Sequence, residues 1–178
     1  MTEKSRIMDG QGIARTLQRL THEILERNAG CEGLVLVGIR NRGDVLAQRI
    51  LKAMSSIESR EVPYGVLDIT LYRDDFQRLA DSPVIGETDI PCDITDQKVV
   101  LVDDVLFTGR TIRAAMDALM DFGRPSSVQL AVLIDRGHRE LPIHADFVGQ
   151  TVSTLKSDGV QVRLEETDGE DGVVLIGS

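Results

Sequence analysis

Three apolar runs constrain this chain more than any other feature of it: Gly33-Leu34-Val35-Leu36-Val37, Lys98-Val99-Val100-Leu101-Val102, and Ser127 to Ile134. Runs without apolar–polar alternation mark strands buried on both faces. Between them lie segments with helical spacing. The first starts at Asp9, which suits an N-cap, and runs to about Arg27. Its Ile13, Leu17, Leu20 and Ile24 recur at i, i+4, i+7 and i+11, a stripe about 60° wide at about 100° per residue. Asn28-Ala29-Gly30 closes it as a helix C-terminus. A second helix is expected over 44–56 through Val45, Leu46, Ile50 and Met54. A third follows through Ile112, Ala115, Met116 and Leu119, and stops at Gly123-Arg124-Pro125. Val62 to Thr70 reads as a strand, and strand-like runs recur at 146–152, 160–164 and 173–176. Alternating strands and helices predict an α/β fold with a mainly parallel central sheet flanked by helices. The 178 residues fit one domain over 1–178. A chain this long buries about 70% of its unfolded surface and needs no disulfide or metal to fold.

Ligands of such sheets sit at the carboxyl ends of the strands. That rule gathers 38–43, 103–111 and 134–138 onto one edge. Thr108-Gly109-Arg110-Thr111 lies between a strand and a helix, where unpaired N–H groups and the helix dipole favour a phosphate monoester. Gly109 permits close approach, and two threonines add hydroxyls. Asp103 and Asp104 stand just before this loop. A carboxylate pair beside a phosphate cradle is repulsive unless it meets hydroxyls or a cation, and a sugar phosphate with vicinal hydroxyls and Mg²⁺ satisfies both. The alternative is that one aspartate merely caps the helix. Gly38-Ile39-Arg40-Asn41-Arg42-Gly43 adds two arginines and backbone donors, the equipment a diphosphate needs, although a solvated turn has the same composition. The polar stretch from Leu71 to Glu87 is long for a connection and is expected to be a mobile functional lid.

Other chemistries are excluded. There is no Gly-Lys-Ser/Thr, hence no P-loop. Gly10-Gln11-Gly12 follows no expected strand, and Arg15 occupies the third-glycine position of a dinucleotide fingerprint. Cys31 and Cys92 share no metal-ligand spacing and read as free thiols, which points to the cytosol. His138 and His144 are isolated and read as structural. The chain opens on no signal-peptide core, and no apolar run approaches the ~20 residues of a membrane-spanning helix. An aromatic content of 3% excludes a base-stacking platform.

The segment Val99 to Thr111 resembles the signature of type I phosphoribosyltransferases, which bind 5-phosphoribosyl 1-diphosphate. Asp68 to Asp75, Thr88 to Pro91 and Gly123 to Ser127, together with Asp135 to Pro142, are similar to one subfamily, the bifunctional pyrimidine operon regulators and uracil phosphoribosyltransferases (PyrR). The similarity runs from about Ile7 to the last strand. It implies a type I phosphoribosyltransferase fold with a mobile flap and a small hood region. Residue by residue, it implies that 108–111, within the wider stretch Val105, Leu106, Phe107, Thr108, Gly109, Arg110 and Thr111, holds the 5′-phosphate. Asp103 and Asp104 hold the ribose hydroxyls and their Mg²⁺, which arrives mainly on the diphosphate substrate, with no protein metal site. Arg40, Asn41 and Arg42 form the diphosphate loop, and Arg73 on the flap reaches the leaving diphosphate. Uracil lies near Ile134, Asp135 and Arg136, recognised largely through backbone groups. Asp103, Asp104, Arg40 and Arg73 are the expected catalytic set.

The same resemblance implies a second role: binding pyrimidine-operon leader RNA, with UMP and UTP as co-regulators. Arg15, Arg19 and His22 lie opposite the apolar stripe of the first helix and form a small basic ridge, which Asn41 and Arg42 extend; an ordinary solvated face is the alternative. The net charge of −9 is the wrong sign for gripping nucleic acid over the whole surface, but residues 1–60 hold ten basic and seven acidic side chains against ten and 22 in the rest. Arginine outnumbers lysine 16 to 4, which suits anion recognition. Residues 140–155 lack Lys and Arg, and beyond Arg163 the acids Glu165, Glu166, Asp168, Glu170 and Asp171 read as unopposed. Two further readings stay open: an RNA-binding attenuator that keeps the pocket as a nucleotide sensor, and a phosphoribosyltransferase without RNA function. The resemblance also implies a homodimer or a higher homo-oligomer.

Overall fold

A computed structural model of the chain describes residues 2–73 and 86–177. The expected lid over 71–87 falls mainly on residues outside the described ones. Five strands form a wholly parallel sheet: β2 (Leu34–Ile39), β3 (Tyr64–Leu67), β4 (Lys98–Leu106), β5 (Ser127–Asp135) and β6 (Phe147–Thr151), in the order β3-β2-β4-β5-β6. Alternate residues of the central strands enter two cores, one on each face. Leu34, Leu36, Val100, Val102 and Leu133 pack with α1 (Gly10–Asn28) and α2 (Arg42–Ile57). Val35, Val37, Val99, Leu101 and Val132 pack with α3 (Arg110–Met120). This is why the runs show no alternation: both faces are dry.

α1 starts where expected. The Asp9 carboxylate accepts the Gly12 amide at 2.7 Å, and Ala29 closes the helix in the left-handed conformation with φ 57°. Its buried stripe contains Ile13, Leu17, Leu20 and Ile24. The expected strand over 62–70 is shorter: β3 spans four residues, and a 3₁₀ turn takes Thr70–Tyr72, because the Asp68 carboxylate captures the Thr70 amide at 2.8 Å.

A second sheet stands apart from the first. β1 (Thr2–Asp9), β8 (Gly172–Gly177) and β7 (Gly159–Arg163) are antiparallel in the order β1-β8-β7, with the four-residue α4 (Glu165–Asp168) between β7 and β8. This is the hood. The sequence reading gave β1 no strand, because its residues are mostly exposed and polar and its pairing with β8 is interrupted by two register shifts. Met8, Val162, Leu164 and Val173 join the core on the α1–α2 face.

The acids of 165–171 are not unopposed, as their sequence neighbourhood implied. Folding brings Glu166, Asp168 and Asp171 to arginines of α2, while Glu170 meets Arg163 of the adjoining β7. Arg42 pairs with Asp168 at 2.8 Å, Arg49 with Glu166 at 2.5 Å and Asp171 at 2.7 Å, and Arg163 with Glu170 at 2.8 Å.

Candidate active site

The strand order reverses between β2 and β4, since β3 lies on one side of β2 and the later strands on the other. Loops leaving the carboxyl ends of β2 and β4 diverge there and open a crevice. Two adjoining hollows fill it. One, of about 300 Å³, is lined by Arg73 and residues 105–112. The other, of about 280 Å³, is lined by Arg40, Asn41, Arg42, Asp68, Ile69, Thr70, Arg73, Asp103, Asp104, Val105 and Thr111. Arg73, Val105 and Thr111 line both. The site residues read from 40–42, 73 and 103–111 therefore converge.

Asp103 and Asp104 belong to β4 rather than to the loop after it, because pairing with β5 continues to Leu106. Each carboxylate accepts the next amide: Asp103 from Asp104 at 2.9 Å, Asp104 from Val105 at 2.7 Å. Burial, and then the neighbouring carboxylate, push the Asp103 carboxyl well above the usual range. Burial also raises Asp104, against the Val105 amide and the Arg42 charge. Such a pair holds its full charge only when hydroxyls or a cation meet it. Among the described residues no three His, Cys, Asp or Glu side chains converge as a metal-binding group.

The expected phosphate cradle is a glycine turn into α3. Gly109 has φ 91° and precedes the first helical residue, and a Cβ there would lie 3.2 Å from Ile143. The first-turn amides of α3 have no intrahelical acceptors. The loop is braced from behind by 136–143. The Thr108 carbonyl accepts the Glu140 and Leu141 amides at 2.9 and 3.1 Å. Arg139 donates to the Phe107 and Ile143 carbonyls, each at 2.9 Å, and pairs with Asp135. The Arg110 Nε donates to the Glu140 carboxylate at 2.9 Å.

At the end of β5, Ile134 is fully buried. The Asp135 carboxylate accepts the Gly137 amide at 2.9 Å. The buried Arg136 guanidinium lies 3.9 Å over the Phe107 ring and donates to the Leu155 carbonyl at 3.1 Å.

On α1, Arg15, Arg19 and His22 are all exposed, opposite the buried stripe. Arg19 is held by Glu23 at 2.6 Å and by the Val148 and Gly149 carbonyls at 3.3 and 2.5 Å, so the ridge carries less available charge than its sequence suggests. Arg42 is likewise engaged by Asp168, while Asn41 is exposed.

Sequence reasoning missed three supporting residues. Asp68 accepts the Thr70 and Gly86 amides, at 2.8 and 2.7 Å, and so closes the base of the segment between them. Arg139 and Asp168 were also passed over. The available signal was charge within short polar stretches, because the contacts that tie these residues to other elements are remote in sequence.

The phosphoribosyl transferase domain model matches residues 3–167. The chain is 58% identical to the Bifunctional protein PyrR of Pelotomaculum thermopropionicum, covering 98% of this chain and 96% of that one. It is 55% identical to the Bifunctional protein PyrR of Bacillus subtilis, covering 98% of both. The fold resembles the hypoxanthine phosphoribosyltransferase of Trypanosoma cruzi at TM-score 0.72 and 16% identity, covering 98% of this chain and 97% of that one. It also resembles a hypoxanthine-guanine phosphoribosyltransferase of Bacillus anthracis at TM-score 0.69 and 16% identity over 99% of both. A type I phosphoribosyltransferase fold, a crevice lined by the expected acids and loops, and these full-length relatives agree: the chain belongs to the PyrR family of bifunctional phosphoribosyltransferases.

Proposed function

We propose that the chain, as one phosphoribosyltransferase domain, makes UMP and diphosphate from uracil and 5-phosphoribosyl 1-diphosphate. The observation that carries this is the junction of an acidic strand end, Asp103-Asp104, with a glycine-opened helix N-terminus in one crevice that also holds Arg40 and Arg73. The turn at Gly109 binds the 5′-phosphate through backbone amides and the Thr108 and Thr111 hydroxyls. Asp103 and Asp104 accept the ribose hydroxyls and so fix the ring. Magnesium fits this donor set, since two buried carboxylates need a positive partner, and when bound with the donor it neutralises charge on the departing diphosphate. Arg40 and Arg73 add positive charge on the leaving-group side. The uracil nitrogen approaches C1 from the side of Ile134, Asp135 and Arg136. Phe107 and Arg136 cover that side and limit water there.

The second role is uridine-nucleotide-dependent binding of pyrimidine-operon leader RNA. Arg15 and His22, exposed on one face of α1, support it. The protein is cytoplasmic in this reading and works as a homo-oligomer. Among the described residues no helix is long and apolar enough to cross a membrane. The test of the enzyme is UMP formation by purified protein with and without Mg²⁺. Turnover that depends on the ion supports it; a folded protein that makes no UMP rules it out.

A further inference from the structure

Arg42 stands at the first position of α2, beside the loop read as the diphosphate site, yet its guanidinium reaches into the hood. Its Nε and Nη2 donate to the two oxygens of Asp168 at 3.2 and 2.8 Å. The Asp168 carboxylate also accepts the Leu164 amide at 2.9 Å, so it is fixed in the turn between β7 and β8. The flank of the loop that faces β3 is held mainly by backbone acceptors: the Tyr64 hydroxyl donates to the Asp44 carbonyl at 3.1 Å, and the Arg40 amide to the Leu67 carbonyl at 3.0 Å. Asn41, the N-cap residue of α2, makes no side-chain capping bond. On its other side the loop presses directly on β4: a Cβ on Gly43 would fall 2.3 Å from the Val102 carbonyl and 3.1 Å from the Asp103 Cα. The loop is therefore gripped between the strand that carries the acids and one carboxylate of the hood.

We infer that Asp168 is a positioning residue for the diphosphate loop: it holds Arg42, and through it residues 40–43, in the conformation that receives the donor's diphosphate. This rests on the assignment of that loop to the diphosphate. Two oxygens on a planar guanidinium fix its orientation as well as its charge. A binding loop loses affinity when its support lets it wander by ~0.5 Å. Arg49 docks the same hood turn independently, through Glu166 and Asp171. Loss of Asp168 therefore costs the hood turn one bond, at the Leu164 amide, and leaves its Arg49 contacts intact, whereas Arg42 loses both of its carboxylate contacts.

The experiment compares Asp168→Asn, Arg42→Met and the double variant in the full-length enzyme, with KM and kcat measured for both substrates. Asp168→Asn should raise KM for 5-phosphoribosyl 1-diphosphate about tenfold, with kcat and the KM for uracil within about twofold. The double variant should be no worse than Arg42→Met alone, because the aspartate acts through the arginine. Arg42→Lys keeps the charge but loses the two-pronged geometry, and should show the same rise in KM if Asp168→Asn proves poorly folded. An unchanged KM in Asp168→Asn or in Arg42→Lys overturns the inference. So does a lower KM, which would mean that Asp168 competes with the diphosphate for Arg42, and so do additive effects in the double variant. If the wild type makes no UMP at all, the assignment of the loop fails, rather than the role of Asp168 within it.

Discussion

In the proposed reaction Asp103 and Asp104 hold the ribose, and they do so at a cost to the ligand-free fold. Their carboxyls sit above the ordinary range in the folded protein because burial disfavours the charged form of each, and at Asp103 the neighbouring carboxylate adds repulsion. A raised folded-state pKa means that the native protein binds protons more tightly than the unfolded chain does. The stability these groups permit is full below about pH 4 and is lost as pH rises through the folded values. Asp104→Asn should therefore abolish UMP formation and yet raise the thermal midpoint of the ligand-free protein at pH 7 by about 3 °C. The gain should shrink as pH falls toward about 4. A wild-type rate, or a lower midpoint at pH 7, contradicts this. Residues of this kind were legible in the sequence because the acid pair and the glycine turn are neighbours in the chain. Asp68, Arg139 and Asp168 were not: besides local partners, each makes a contact 18, 32 or 126 residues away, and no local pattern announces a contact that only folding makes.

The strands and helices of the parallel sheet were legible for the same reason that they are stable, since each side chain's burial repeats at the period of its element. β1 escaped because it is an outer strand of a small antiparallel sheet, with polar residues on most of its length. The hood's attachment escaped too, and it makes a prediction at this scale. Arg49 on α2 holds Glu166 and Asp171, and its hydrogen bonds and charge keep both carboxyls below their usual range. Stability from depressed carboxyls is present above their unfolded pKa and is lost as pH falls through the folded values. Arg49→Met should cost about 1 kcal/mol at pH 7, modest because Glu166 is half exposed. In denaturant titrations across pH the difference from wild type should close below about pH 4. A gap that stays constant with pH would show that Arg49 acts by packing alone.

Across the whole molecule, the net charge of −9 is compatible with a nucleic-acid partner only at a local face. Glu166, Asp168, Glu170 and Asp171 are matched by Arg42, Arg49 and Arg163, and Asp103 and Asp104 lie in the crevice, so these acids do not face an RNA on α1. Arg19 is partly committed. Leader-RNA binding should therefore show a shallow salt dependence, a log–log slope of about −2 per protomer, and should tighten with UMP. A slope indistinguishable from zero would remove the electrostatic face. The fold leaves the base open, because the similar solved structures include hypoxanthine enzymes that share this architecture at 16% identity. The most direct measurement is one assay of the purified protein with 5-phosphoribosyl 1-diphosphate, Mg²⁺ and, in parallel, uracil, hypoxanthine or adenine. Nucleotide formation from uracil, with the two purines inert, is the predicted result; turnover of a purine in preference to uracil would contradict it.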